Sequence, residues 1–312
     1  MTAKVNVVHK EYAVKKHLYL LMIVPALVVY TLFAAYPFIS SLSLSFFDWG
    51  GVGPKKFIGL QNYQMILHGI LSQEFYRAVV HNAIYFIGTW ALTIIPGLFF
   101  AFLLNSGLKG TNIFKIIFFF PNVLPIIVIG FLFSLLLNPQ WGPINAFLRG
   151  IGLEALVRPW LGDVKFAFPT IIVISSWKML GFYILVFLAA MLSVGKDQIE
   201  AARLDGASEM HIGWSIVLPH IFPTVVTLTI LKFIGAFNVF DIVYAMEGTQ
   251  AGPAGATDVL GTLFYRLAFG GLGSTAMGMG LGAAVVSLIF VIVFPLSILY
   301  VFILDRRMGG IE

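Results

Sequence analysis

Residues 276–304 read AMGMGLGAAVVSLIFVIVFPLSILYVFIL, a run without one charged side chain. Its only side-chain hydrogen-bonding groups are Ser287, Ser297 and Tyr300. A helix rising about 1.5 Å per residue needs about 20 mostly apolar residues to cross a hydrocarbon layer of about 30 Å. The run is apolar on every face and does not alternate, so it reads as a spanning helix and not as a barrel strand. Five further stretches meet the same test, at about 18–46, 78–104, 113–137, 167–192 and 220–246. Pro25, Pro37, Pro96, Pro125 and Pro295 fall inside these runs. They are tolerated where neighbouring helices satisfy the freed carbonyls.

Composition agrees with the runs. Of 312 residues 59% are hydrophobic and 11% charged, against about 25% charged in an ordinary soluble domain. No soluble globule of this size could hide that much apolar surface. The absence of cysteine excludes a disulfide framework, a thiolate metal site and a cysteine nucleophile. The six histidines form no HExxH pattern, so no zinc site is expected. The net charge of +5 is read as basic residues flanking membrane spans and not as a nucleic-acid surface. The first stretch follows Lys15 and Lys16 and holds Ala34-Ala35. Its apolar run exceeds the 7–15 residues of a signal peptide, so it is read as a retained helix.

Six spans put both termini on one side. With the N-terminus inside, internal segments carry Lys4, Lys10, Lys15, Lys16, Lys109, Lys115, Lys196, Arg203, Arg306 and Arg307. The longer external loops carry Lys55, Lys56, Arg77, Arg149, Arg158, Lys165 and Arg266. The positive-inside bias therefore favours cytoplasmic termini. The loop after span four departs from the trend, since its acidic residues outnumber its basic ones.

That loop reads GKDQIEAARLDGASEMHIGWSIVLPHIFP from Gly195 to Pro223. Asp197 followed by Glu200 resembles a capping box for a short helix, with aspartate in place of Ser or Thr. Ala201, Ala202, Arg203 and Leu204 favour helix, and Asp205-Gly206 is a stop signal because glycine accepts positive φ. Ser208 is placed to cap a second helix, expected to end at Leu218 before Pro219. A helix this short is marginal alone and is held by packing. The alanines would let another protein approach, and Glu200, Asp205 and Glu209 would meet a basic rim. Residue chemistry alone leaves a docking site and a solvated connector both open.

The string Glu200-Ala201-Ala202, Gly206, Ile216 and Leu218-Pro219 resembles the EAA loop of ABC-importer permeases, in its expected place before the fifth of six core spans. The likeness extends along the chain to the maltose/glycerol-3-phosphate type of carbohydrate permease. It includes the Ser-Leu-Ser-Phe-Phe-Asp-Trp run ending at Trp49 and Phe57-Ile58-Gly59-Leu60-Gln61-Asn62-Tyr63. It also includes Gly142-Pro143-Ile144-Asn145, the stretch from Phe237 to Tyr244, and Tyr265-Arg266-Leu267-Ala268-Phe269. One departure is Ala251-Gly252-Pro253 where that group has Gly-Gly-Pro.

The resemblance implies an all-α integral membrane protein of six transmembrane helices, with a cytoplasmic EAA coupling helix between spans four and five. The expected organisation is a cytoplasmic tail over 1–17, a permease domain over 18–304 with the EAA loop at 195–219, and a cytoplasmic tail over 305–312. Glu200, Ala201, Ala202, Asp205, Gly206, Ile216, Leu218 and Pro219 would couple to an ATPase. The implied partners are a second permease, making a heterodimer, two copies of an ABC ATPase and an extracytoplasmic solute-binding protein, in a prokaryotic inner membrane. The external loops 48–77, 138–166 and 247–275 are docking candidates. No GxxxxGK[ST] phosphate loop occurs, so ATP and Mg would be used by the partner, and no cofactor is expected on this chain.

Charges within spans are functional candidates because hydrocarbon disfavours them. Lys178 lies about ten residues into span four, and Lys232 is about as deep in span five. Asp241 follows Asn238 by three residues, which would put both on one helix face near the outer end. Two lysines at one depth either share an anion, as in an acidic carbohydrate or phosphorylated polyol, or pair separately with carbonyls or Asp241. Sugars stack on aromatic rings, which makes Trp177 and Tyr183 cavity candidates, although such residues also form interfacial belts. Ser274, Gly278 and Gly282 make a stripe of small residues suited to close helix packing. The competing functional class is an ion-gradient-driven secondary transporter, which shows inverted repeats and broken helices around midplane charges. No self-similar halves are evident here. A membrane enzyme would need clustered reactive groups, and His81 and His220 stand alone.

Overall fold

Why each apolar run stays straight or breaks is decided mostly at its prolines. A computed structural model describes residues 21–270 and 278–308. The tail 1–17, Ser274 and residues 276–277 of the sixth run lie outside the described residues. Span one is α1, Leu21–Leu44. Its segment Thr31–Ala35 takes the π register, immediately before Pro37. There Tyr36 N–H bonds the Thr31 carbonyl five residues back, so the wide turn falls where Pro37 can donate no N–H.

A small hairpin follows, with β1 (Phe47–Asp48) antiparallel to β2 (Lys56–Phe57). After α2 (Gln61–Leu67) comes span two, α3 (Ser72–Asn105). Its buried residues Phe75, Ala78, Asn82, Tyr85 and Thr89 recur at three- and four-residue spacing, defining one inward face.

Span three corrects the sequence reading. The run 113–137 is two helices, α4 (Thr111–Val123) and α5 (Ile126–Leu136), bent by 93°. Pro125 forces the break: Leu124 turns extended (ψ 137°) as a residue before proline prefers, and Pro125 becomes the cap of α5. Helix α6 (Pro143–Gly150) leads to span four, α7 (Ala167–Leu192), which matches its expected limits. It is the most enclosed helix of membrane length among the described residues. Gly97 of α3 packs on its Tyr183 and Phe187, and Gly181 of α7 meets the α4 backbone at Phe118.

Helix α8 (Lys196–Leu204) is followed by α9 (Glu209–Phe237). Here too the expectation changes, because the second helix does not end before Pro219. A π segment, Gly213–Val217, in which Leu218 N–H bonds the Gly213 carbonyl, takes the helix through Pro219, and the chain runs on as an apolar span. Span five then stops at Phe237, not 246. Asn238 caps it, its Nδ2 donating to Ile234 O at 2.9 Å, and α10 (Asp241–Glu247) starts afresh. Helix α11 (Leu260–Phe269) precedes span six, α12 (Met279–Met308). Among the described residues five helices are thus long and apolar enough to cross a membrane, or six with the bent pair counted as one.

Asn82 ties the outer half together. It donates to Ala236 O of α9 at 2.7 Å and accepts from Leu260 N of α11 at 2.8 Å. A buried amide with both ends satisfied is worth keeping in lipid, where an unmatched polar group is costly.

Candidate coupling loop and translocation site

The loop between spans four and five is built around Gly206. Its φ of +82° follows the last turn of α8, with Ala207 N–H bonding Ala202 O (2.9 Å) and Gly206 N–H bonding Arg203 O (3.1 Å). These two bonds make a Schellman closure, as the Asp205-Gly206 pair suggests. Ser208 Oγ accepts from His211 N–H at 3.3 Å and caps α9 as expected. Asp197 does not cap. Gly195 holds that position, and Asp197 sits in the first turn, where its charge favours the helix dipole. Arg203 spans the turn to Glu209 at 2.8 Å. Hydrogen bonding to Arg203 holds the Glu209 carboxyl below the usual carboxylate range.

The loop has two faces. Ile199, Ala202, Ala207, Ile216 and Leu218 pack on a core formed by Leu104, Met191, Val194 and Ile212. Glu200, Ala201, Asp205, Gly206 and Pro219 are exposed. The two alanines therefore do not share a docking face: Ala202 turns inward. Three apolar residues that sequence reading passed over, Leu204, Met210 and Trp214, are 90%, 72% and 66% exposed.

Within the membrane the two lysines part company. Lys178 is buried and donates to Asn122 O at 3.2 Å. Asn122 lies in the last turn of α4, whose carbonyls lose their partners at the Pro125 break. Lys178 thus caps a broken helix, a placement the helix dipole favours. Lys232 lies instead over the Tyr183 ring, 5.1 Å from its centre, and forms no ion pair among the described residues. Trp90 Nε1 donates to Thr229 Oγ1 (3.0 Å), one turn before Lys232. Trp177 points away from this group, packing on Phe133 at 5.5 Å and remaining 45% exposed. Asn238 and Asp241 are exposed on either side of the helix break, so the shared-face argument fails.

The start of α3 and the helix α11 meet in an ionic cluster. Arg266 donates to Asp258 (2.7 and 3.2 Å), Glu74 (2.9 Å) and Thr249 O (3.1 Å). Burial opposes the Arg266 charge, but these partners raise its pKa. The loop over it has positive φ at Gly248, Ala251, Gly252, Ala254 and Gly255. Ala251, at +55°, occupies the position where the resembled group has glycine, which such a φ favours.

A model of the family of binding-protein-dependent transport system inner membrane components matches residues 93–310. The chain belongs to that family. The permease is 33% identical to the probable ABC transporter permease protein YurN of Bacillus subtilis, over 89% of this chain and 93% of that one. It is also 33% identical to the trehalose/maltose transport system permease protein MalF of Thermococcus litoralis, over 90% and 91% of the two chains. Its fold matches a chain of a bacterial alginate ABC transporter solved in complex with alginate pentasaccharide-bound periplasmic protein. That match has a TM-score of 0.78 at 21% identity, covering 96% of this chain and 97% of that one. The permease is a multi-pass membrane protein, and membership excludes the secondary-transporter alternative.

At the end of α10, burial pushes the Glu247 carboxyl up to about 7. Its Oε1 has no partner, and a Cβ on Gly252 would stand 2.6 Å from Oε2. A carboxyl with a raised folded pKa holds its proton more tightly when folded. Its contribution is complete below the ordinary value near 4.5 and is lost as pH climbs to about 7. The melting temperature of the purified permease is expected to fall across that window. Glu247→Gln should flatten the fall and melt higher than wild type at pH 8.

Proposed function

We propose that the permease carries a sugar, oligosaccharide or polyol phosphate into the cell, powered by a separate ATPase acting through the loop at 195–219. The observation that carries this reading is the loop itself. Its inner face is anchored on the membrane body, while Leu204, Met210 and Trp214 are left bare beyond a locked turn. Bare apolar side chains on a polar loop suit a partner cleft. The full assembly in this reading has a second, different permease, two ATPase copies that use ATP and Mg, and an external solute-binding protein. This chain binds no cofactor, and both its termini are cytoplasmic.

The relative from Thermococcus litoralis is a trehalose/maltose transport system permease, which supports a carbohydrate cargo. Within the chain, Lys232 offers an acidic cargo a cation that pairs with no carboxylate among the described residues, while Tyr183 is buried beneath it and presents no free ring face. Lys178 has a structural role instead. Transport of an acidic sugar should therefore fall when Lys232 becomes Met. Lys178→Met should lower melting temperature, and an unchanged uptake rate for Lys232→Met would remove that residue from the cargo path.

The deciding experiment reconstitutes the chain with the proteins that co-purify from its native membrane. Uptake that requires ATP inside and binding protein outside supports the reading. Uptake by this chain alone under an ion gradient overturns it.

A further inference from the structure

A cavity of about 350 Å³ opens among Glu74, Arg77, Gly252, Gly255, Asp258 and Arg266 at the external end. Its two arginines are used unequally. Arg266 is buried and fully engaged by two carboxylates and a carbonyl. Arg77 is 37% exposed, reaches Asp258 only at 3.6 Å, and its Nε has no partner. The bare backbone of Gly255 lies against it, since a Cβ there would stand 2.6 Å from Arg77 Nη2.

The cavity leads nowhere. Below it His81 Nδ1 bonds Asp258 O at 2.7 Å, Asn82 bridges Ala236 and Leu260, and Ala78, Leu260 and Leu263 are fully buried. A solute in transit could not continue through that floor. Its volume is at the lower end of small-ligand pockets, about 300–1,000 Å³, so it suits one side chain better than an oligosaccharide. The under-used group is a guanidinium, whose planar fork matches a carboxylate.

We propose that this cavity is a socket for one acidic side chain of the solute-binding protein, whose carboxylate pairs with Arg77. The inference rests on the importer reading above and names a contact within it. Arg77 and Arg266 together balance Asp258 and Glu74, so the socket is near neutral before the carboxylate enters and meets the open edge of Arg77.

The test uses the complete importer in lipid nanodiscs, titrated with the purified, solute-loaded binding protein of the same transport system. Removing one partner of a half-exposed charge pair weakens association, so Arg77→Gln should weaken binding by roughly tenfold, about 1.4 kcal/mol, and Arg77→Glu by about thirtyfold or more. Arg77→Lys keeps the charge but loses the fork, so it should bind between wild type and Arg77→Gln while keeping the wild-type salt dependence. Affinity of the wild type should fall with added salt, and Arg77→Gln should flatten that dependence. A merely structural role for Arg77 would leave the salt dependence unchanged. If Arg77→Glu does not assemble, the Gln and Lys variants carry the comparison. A wild-type importer that takes up no binding protein overturns the importer reading. Normal wild-type binding with Gln and Lys variants of equal affinity and equal salt dependence overturns the socket alone.

Discussion

Gly206→Val is expected to reduce ATP-driven uptake by on the order of tenfold while the membrane body stays folded. An added Cβ at Gly206 meets nothing within 4 Å, so the effect is not a clash. It is a backbone effect, because φ is +82°. An L-residue in the left-handed region costs about 1–2 kcal/mol, and a β-branched one is a genuine outlier there. Helix α8 has only nine residues and no side-chain cap at its start. A helix that short is not self-supporting. Losing the two closing bonds from Gly206 and Ala207 would let its end unwind, moving Leu204 and separating Arg203 from Glu209.

A control separates geometry from mass. Asparagine tolerates the left-handed conformation through its local hydrogen bonds, so Gly206→Asn should keep most of the uptake. Melting temperature in detergent should be near wild type for both, since the turn is exposed and lies outside the buried core. If valine and asparagine both transport as wild type, the turn has no part in coupling. If both lose uptake equally, the side chain itself and not the backbone is at fault.

Hydropathy located the helices because it reports what sits in hydrocarbon. Span four is the best case, with identical limits in sequence and structure. The same measure cannot report direction. Pro37 and Pro125 look alike in sequence, yet the first sits in a helix relieved by a π segment and the second turns the chain by 93°. What differs at the second is support from afar: the carbonyl of Asn122, freed by the break, is met by Lys178, 56 residues later. The break at Asn238 was equally hidden, because Val239 and Phe240 continue the apolar run without continuing the helix. In the coupling loop Gly206 was legible, since a stop signal and a required positive φ are both local. Leu204, Met210 and Trp214 were not, because an apolar residue in a short helix reads as core until its exposure is known. Arg266 counted only as one external charge. Its partners lie 8 and 192 residues away, and one sequence carries no record of that meeting.

Gly181→Ala is expected to stop the permease from accumulating in folded form. A Cβ at Gly181 would stand 2.0 Å from Phe118 O, 2.4 Å from Phe118 C and 2.8 Å from Phe119 Cα. All three atoms are backbone, so no side-chain rotation relieves the overlap. Helices α4 and α7 would have to separate by more than about 1 Å to reach the 3.5 Å or so of ordinary carbon contact. Overpacking costs typically about 1–3 kcal/mol and occasionally more, and this site has a second loss coupled to the first. Lys178 precedes Gly181 by three residues and shares its helix face. Moving α4 away would stretch the 3.2 Å bond from Lys178 to Asn122 O, leaving a cation and a carbonyl unmatched in the membrane. Against a total stability of about 5–15 kcal/mol, the combined cost is a large fraction. Gly235→Ala is the matched control, since Gly235 is also inside a spanning helix and a Cβ there meets nothing within 4 Å. It should be neutral or stabilising by up to about 1 kcal/mol, the helix-propensity difference between the two residues. Yield of monodisperse protein and detergent melting temperature decide the matter. Equal melting of Gly181→Ala and wild type would mean that α4 and α7 do not approach backbone to backbone at Phe118.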